Sequence, residues 1–312
     1  MLYSLKSALF LFLISFSVTL TAQNENIAQD SAWFKTMKAY EDTLGVLSYA
    51  VVNDTSDSER FLATQMLIKK LVTALKEPNS FDYPFERMRG VSLLYPADST
   101  FRIFTWQLFI DNDTYRYYGA IQMNSPELKL FPLFDKSEEV SDVQAILSNE
   151  NWFGSLYYNL ETCLAADGST YYLLFGYHTP GFFERNKLLD VLTFNDGQPS
   201  FGAPVFENYT EGGAPYTQNR ILLDYHASAS VRLNYSQTLE LIVFDHIIDQ
   251  PGINMDGPKR FPDGSYEAYK YENGLWKHVD KVFRETVEQA PVPQPVFGVG
   301  RPKKDIIGRR KN

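Results

Sequence analysis

Hydrophobic and polar positions change period twice along this chain. Through residues 31–75 the apolar residues recur at three- and four-residue steps. Trp33, Phe34, Met37, Tyr40 and Leu44 form one stripe; Ala63, Leu67, Leu71 and Leu75, with Ile68 and Val72 beside them, form a second. Such stripes predict two amphipathic helices. Asp30–Ser31 offers a cap to the first, and Gly45 blurs its end. Ser56-Asp57-Ser58-Glu59 fits a capping box ahead of the second, and Pro78 stops it.

From Gly90 to about Val282 the period becomes two. Strands are predicted near 91–95, 101–110, 115–123, 127–133, 152–160, 170–177, 187–194, 201–206, 219–225, 229–236, 239–247, 266–271 and 275–279. Asp167-Gly168, Asn195-Asp196-Gly197 and Asn273-Gly274 punctuate them as turns. The run 135–151 lacks strand pattern and reads as a short helix or crossing loop. Phe101–Ile110 and Tyr115–Met123 flank a turn cluster and form the central hairpin. Phe101, Ile103 and Phe109 share one face, with Phe104, Trp106, Leu108 and Ile110 on the other. A strand apolar on both faces is covered twice. The fold expected is therefore mainly β: an antiparallel meander, as a sandwich, barrel or irregular propeller-like array, preceded by two N-terminal helices. No repeat of 40–50 residues with a fixed signature supports a regular propeller.

The ends differ from the body. Lys6, the 13-residue apolar run Ala8–Leu20 and Ala22 read as a secretory signal over 1–22, the run being short for a membrane span of about 20 residues, with an uncleaved N-terminal anchor as the rival reading. The organisation expected is thus signal 1–22, helical segment 23–80, antiparallel β domain 81–285, and a Pro-rich then basic tail, poorly ordered, over 286–312. Export places the protein in the periplasm or outside the cell, with no transmembrane span after signal cleavage.

Composition narrows the partners. A net charge of -9 over 312 residues repels phosphate backbones and argues against nucleic acid. One cysteine, Cys163, forbids an intrachain disulfide and reads as a small buried hydrophobe. No phosphate-binding loop, dinucleotide fingerprint or nucleophile elbow is present, and no cofactor is implied. None of His178, His226, His246 and His278 belongs to a close-spaced ligand pair. Asp245-His246 points to opposite strand faces, so no metal site is assigned, and His246 reads as a satisfied core or rim histidine. Asp249, Asp256 and Asp263 sit in loops without calcium-loop spacing. Asp113 and Thr114 read as turn residues.

Candidate site residues come from strand register. A three-residue turn at His226-Ala227-Ser228 would pair Leu223 with Val231. A two-residue turn at Gln237-Thr238 would pair Leu233 with Ile242 and Val231 with Phe244. Asp224, Ser230 and Asp245 then fall in one polar row, with Arg232 next along. Two carboxylates about 10 Å apart sit near the wide end of an inverting glycosidase pair. Asp224 and Asp245 are therefore the catalytic candidates, and Ser230 and Arg232 the binding candidates. The plain alternative is an ordinary solvent-facing row.

The phrases Phe101-Arg-Ile-Phe-Thr-Trp106, Trp152-Phe-Gly-Ser-Leu-Tyr-Tyr158, Phe201-Gly-Ala-Pro-Val-Phe206 and Ile242-Val-Phe-Asp-His246 resemble a family of uncharacterised exported proteins of the Bacteroidetes, over about Phe81–Val282. The resemblance implies compartment and no particular activity. Tyr235-Ser236 departs from the Tyr-Asp expected there. Asp30-Ser31-Ala32, Asp42-Thr43-Leu44 and Asp98-Ser99-Thr100 look like that group's O-glycosylation triplets. Export, twenty tyrosines and no catalytic signature point to a protein that binds a glycan or a cell-envelope protein. The alternative is a secreted hydrolase acting on a polysaccharide.

Overall fold

The computed structural model describes residues 31–111, 114–251 and 258–282. The expected signal segment and the Pro-rich, basic tail lie outside them, as do Asp30, Asp113 and Asp256.

Helix α1 runs through 31–53 and α2 spans Asp57–Leu75. Met37, Leu44, Leu67, Leu71 and Leu75 are buried as the stripes require. Phe34 is not; it lies 54% exposed because α1 turns its first stripe partly outward. Ser56 caps α2 by accepting from the Glu59 N–H. The reciprocal half of the expected box is replaced: the Ser56 N–H donates to Asp54 Oδ1.

The first sheet is a meander of β1 (Ser92–Leu94), β2 (Phe101–Phe109), β3 (Tyr115–Met123) and β4 (Leu130–Phe134). Its register sets Phe101 opposite Met123 and Phe109 opposite Tyr115. Phe104, Trp106 and Leu108 face the helices, while Phe101 and Ile103 face the second sheet. Two-sided coverage of β2 thus follows from the sequence pattern.

The second sheet contains β5 (Leu147–Ser148), β6 (Leu156–Leu164), β7 (Thr170–His178), β8 (Glu184–Asn195) and β9 (Gln198–Phe201). The expected strand 201–206 is divided: β10 (Phe206–Tyr209) leaves for a third sheet and pairs there with β11 (Pro215–Gln218). Then β12 (Ile221–His226) returns to sheet two against β8. Strands β13 (Leu233–Ser236), β14 (Leu241–Gln250), β15 (Lys259–Glu272) and β16 (Leu275–Val279) complete sheet three, in the order β11-β10-β16-β15-β14-β13. Strand pairing is antiparallel except for β10 with β16.

Three cores separate four layers: helices on sheet one, sheet one on sheet two, sheet two on sheet three. Leu174, Leu188 and Leu192 of sheet two face sheet one; Leu173, Leu189 and Val191 face sheet three. The chain is mainly β, as the sequence pattern predicts: two N-terminal helices precede antiparallel sheets stacked face to face.

Two register expectations are corrected. Leu223 pairs with Lys187 on β8, not with Val231. The cause is buried and distant in sequence. Arg220, just ahead of β12, and Asp190 on β8 are both fully buried, with Arg220 Nε 3.1 Å from Asp190 Oδ1. Arg220 also donates to the carbonyls of Val143, Ala145 and Phe201. Ile221 and Leu222 then reach opposite faces of sheet two. The second correction is smaller: Leu233 pairs with Phe244 and Ser236 with Leu241, leaving a four-residue turn with Glu240 at φ 54°. That slip of two residues keeps every side chain on its expected face.

Candidate functional site

The predicted polar row does not assemble. Asp224 sits on β12 in sheet two and Asp245 on β14 in sheet three. Ser230 and Arg232 lie in the loop between. Asp245 is buried and accepts the Arg232 N–H at 2.5 Å, so its carboxylate serves the backbone. Of the four candidates, Asp224 alone lines a cleft.

That cleft, of about 700 Å³, opens between the end of sheet two and the β14–β15 arm. Phe183, Glu184, Asn186, Asp224, Asp249 and Arg260 line it. The β7–β8–β12 ladder places His178, Asn186 and Asp224 in one row across three strands. Glu184 lies opposite His226, diagonal to Asp224 on the same face. Diagonal partners of this kind are separated by roughly 7–8 Å.

The row is graded in polarity. His178, at its inner end, is buried against Tyr117 and Phe153. Its Nδ1 lies 2.8 Å from the Gly154 carbonyl, which fixes Nδ1 as the protonated nitrogen. Burial holds the imidazole's pKa below its usual value. Asn186 is also buried, and its Oδ1 has no hydrogen-bond partner among the described residues. Asp224, at the mouth, receives the Arg260 guanidinium at 2.7 Å. Burial raises the Asp224 pKa, and Arg260 opposes that rise without cancelling it. Arg260 Nε also stands 3.5 Å from Asp249.

Aromatic side chains edge the cleft. Phe182 and Phe183 are 55% and 64% exposed and meet edge to face, with ring centroids 4.7 Å apart. The His226 ring lies between Phe183 and Phe261, at 6.2 and 5.3 Å. By contrast Tyr117, Tyr157, Tyr171 and Tyr172, abundant enough to suggest a surface strip, are buried. The sequence signal for the cleft is Phe182-Phe183 followed by a charged strand. Its partner Arg260 cannot be found without knowing that β12 joins β8.

Among the described residues, no group of three or more His, Cys, Asp or Glu side chains could hold a metal ion. No described helix is long and apolar enough to cross a membrane. Cys163 is half-buried, and burial pushes its thiol up to about 12, as expected of an inert packing residue.

No protein-family model, curated protein or solved structure matches this chain.

Proposed function

We propose that this is an exported glycan-binding protein and that the cleft at Asp224 takes the sugar. The observation carrying this reading is Asn186, which lines the cleft beside an exposed aromatic pair and whose buried Oδ1 has no partner among the described residues. A buried amide oxygen without a partner is a standing free-energy deficit of about 1–3 kcal/mol, which a ligand hydroxyl removes. Sugar rings carry apolar C–H faces and a hydroxyl rim. Phe183 suits the first, while Asn186, Asp224 and Arg260 suit the second. Export is supported by Lys6 and the apolar run Ala8–Leu20.

Hydrolysis through Asp224 and Asp245 has less support: Asp224 lines the cleft, whereas Asp245 belongs to sheet three and accepts the Arg232 N–H. Asp224 is also held as an ion pair, which suits orientation of a hydroxyl better than proton donation.

A glycan array followed by calorimetry tests the proposal. Phe183→Ala and Asn186→Leu should each weaken the best hit at least about 5-fold, equivalent to roughly 1 kcal/mol. An empty array, or hits indifferent to both changes, refutes the site. Steady product release from an oligosaccharide, abolished in Asp224→Asn, would convert the reading to hydrolase.

A further inference from the structure

A second cavity, of about 350 Å³, opens where β6, at the edge of sheet two, meets sheet three. Register places the sheet-two side of it. Glu161 pairs with Leu173 and Cys163 with Tyr171, and both partners face sheet three. Paired residues share a face, so Glu161 and Cys163 are directed across the gap. From sheet three come Tyr235 on β13, Tyr271 on β15, Trp276 on β16 and Glu240 in the turn before β14.

Three aromatic rings stand together there. Trp276 lies opposite Tyr271, with ring centroids 5.3 Å apart, and meets Tyr235 edge to face at 6.1 Å. The Trp276 indole N–H donates to the Tyr171 hydroxyl at 3.0 Å, and the Tyr271 hydroxyl donates to the Leu164 carbonyl. These bonds fix two of the rings and use up their donors. Lys270, the cation in the lining, has its ammonium 2.8 Å from Glu272. The cavity therefore offers π faces and carboxylate oxygens, and little that donates.

Its charge is one-sided. Glu161 receives only the neutral Asn159 amide, at 3.2 Å. Burial raises the Tyr235 pKa, and the charges of Glu240 and Glu161 raise it further, so both carboxylates act on one phenol. Among the described residues no group of three or more acidic, histidine or cysteine side chains could hold a metal ion, so the counter-charge this cavity suits is organic. Leu164 and Leu239, 60% and 44% exposed, add apolar surface at the rim.

We propose that this cavity binds a protonated aliphatic amine, with the ammonium group between Glu161 and Glu240 and the methylene chain against Tyr235, Tyr271 and the leucine rim. Aromatic rings attract cations through their negative faces, and carboxylates accept the ammonium N–H groups in charge-assisted bonds. A neutral polyol gains neither interaction, and a carboxylate ligand is repelled. The volume lies at the small end of ligand pockets, about 300–1,000 Å³, and fits a single amine side chain or a short diamine. The site is separate from the Asp224 cleft and shares no lining residue with it.

Calorimetry on the full chain at low ionic strength tests the site. Cadaverine represents a free amine, Nα-acetyl-lysine methylamide a lysyl side chain, and pentanediol the uncharged control. Cadaverine should bind one per chain with sub-millimolar affinity that falls as salt is added, and pentanediol should not bind. Glu161→Gln and Glu240→Gly should each weaken the amine about 10-fold. Tyr235→Leu should weaken it about 2–5-fold. Glu240 sits at φ 54°, which suits glycine, so Glu240→Gly removes the carboxylate without straining the turn. Circular dichroism confirms folding of each variant. Binding of the lysine derivative as well as cadaverine identifies lysyl side chains as occupants; binding of cadaverine alone restricts the site to free amines. The proposal is overturned if neither amine binds or if pentanediol binds as well as cadaverine. Wild-type affinity in the Glu161→Gln, Glu240→Gly double variant also overturns it.

Discussion

Removing the carboxylate of Asp190 tests why β12 joins sheet two. Asp190 and Arg220 are both inaccessible to solvent. Burial pushes the Asp190 pKa up, and the guanidinium beside it pulls the other way. Its Oδ1 accepts from Arg220 Nε and from the Val191 N–H, whereas Oδ2 has no partner among the described residues. Asp190→Leu leaves a buried guanidinium facing only the carbonyls of Val143, Ala145 and Phe201. Breaking one side of a buried pair costs about 3–5 kcal/mol. Asp190→Asn keeps an acceptor for both donors and loses only the charge, for about 1–2 kcal/mol. Arg220→Met strands Asp190 and three carbonyls, at about 1–3 kcal/mol for each orphan beyond the pair itself. That sum approaches the whole stability of a typical domain, about 5–15 kcal/mol, so this variant should be largely unfolded. Equilibrium urea unfolding gives the differences from midpoint and slope. A role for the pair in holding β12 is refuted if Asp190→Leu lies within about 1 kcal/mol of the wild type, or if Asp190→Asn is the more damaging change.

Other outcomes follow from the same packing. Arg102 is fully buried and has no carboxylate partner among the described residues. It donates to Gln122, the Tyr95 hydroxyl and the carbonyls of Ser80 and Tyr83, at 2.7–2.8 Å. Lysine keeps the charge and loses the fork, so Arg102→Lys should lower stability by about 2–4 kcal/mol in urea, with two or more donors lost. His178 has a depressed pKa, so its contribution is present above the unfolded value of 6.5 and is lost as pH falls through the folded value. Thermal unfolding from about pH 7 toward pH 5 should therefore be steeper for wild type than for His178→Asn; parallel curves would contradict a buried, neutral imidazole.

The parts legible in the sequence are local. The 101–123 hairpin needs only period two and a turn, and its register is as expected. The α2 cap needs only Ser56 and the turn after it. What period two does not encode is which sheet a strand joins. Residues 221–226 satisfy alternation equally well beside Val231 or beside Lys187, and the deciding contact, Arg220 to Asp190, spans thirty positions in the chain. Asp224 therefore lines a cleft among neighbours that alternation does not predict. A shift of two is similarly silent, which is why the β13–β14 slip changes pairing without changing faces. The contact of His246 with Asp263 is hidden for another reason: strict alternation gives the facing of His246, but only the Asp263–Ser265 bulge brings that carboxylate to it.

The position of β16 between β10 and β15 bears on synthesis. As the chain leaves the ribosome, β10 and β11 emerge early, yet one edge of β10 has no neighbour until Leu275–Val279 arrives. Through that interval Phe206–Tyr209 offers open backbone to any passing strand. Nascent chains halted ahead of Leu275 should therefore clump, whereas those extended past Val279 should stay dispersed.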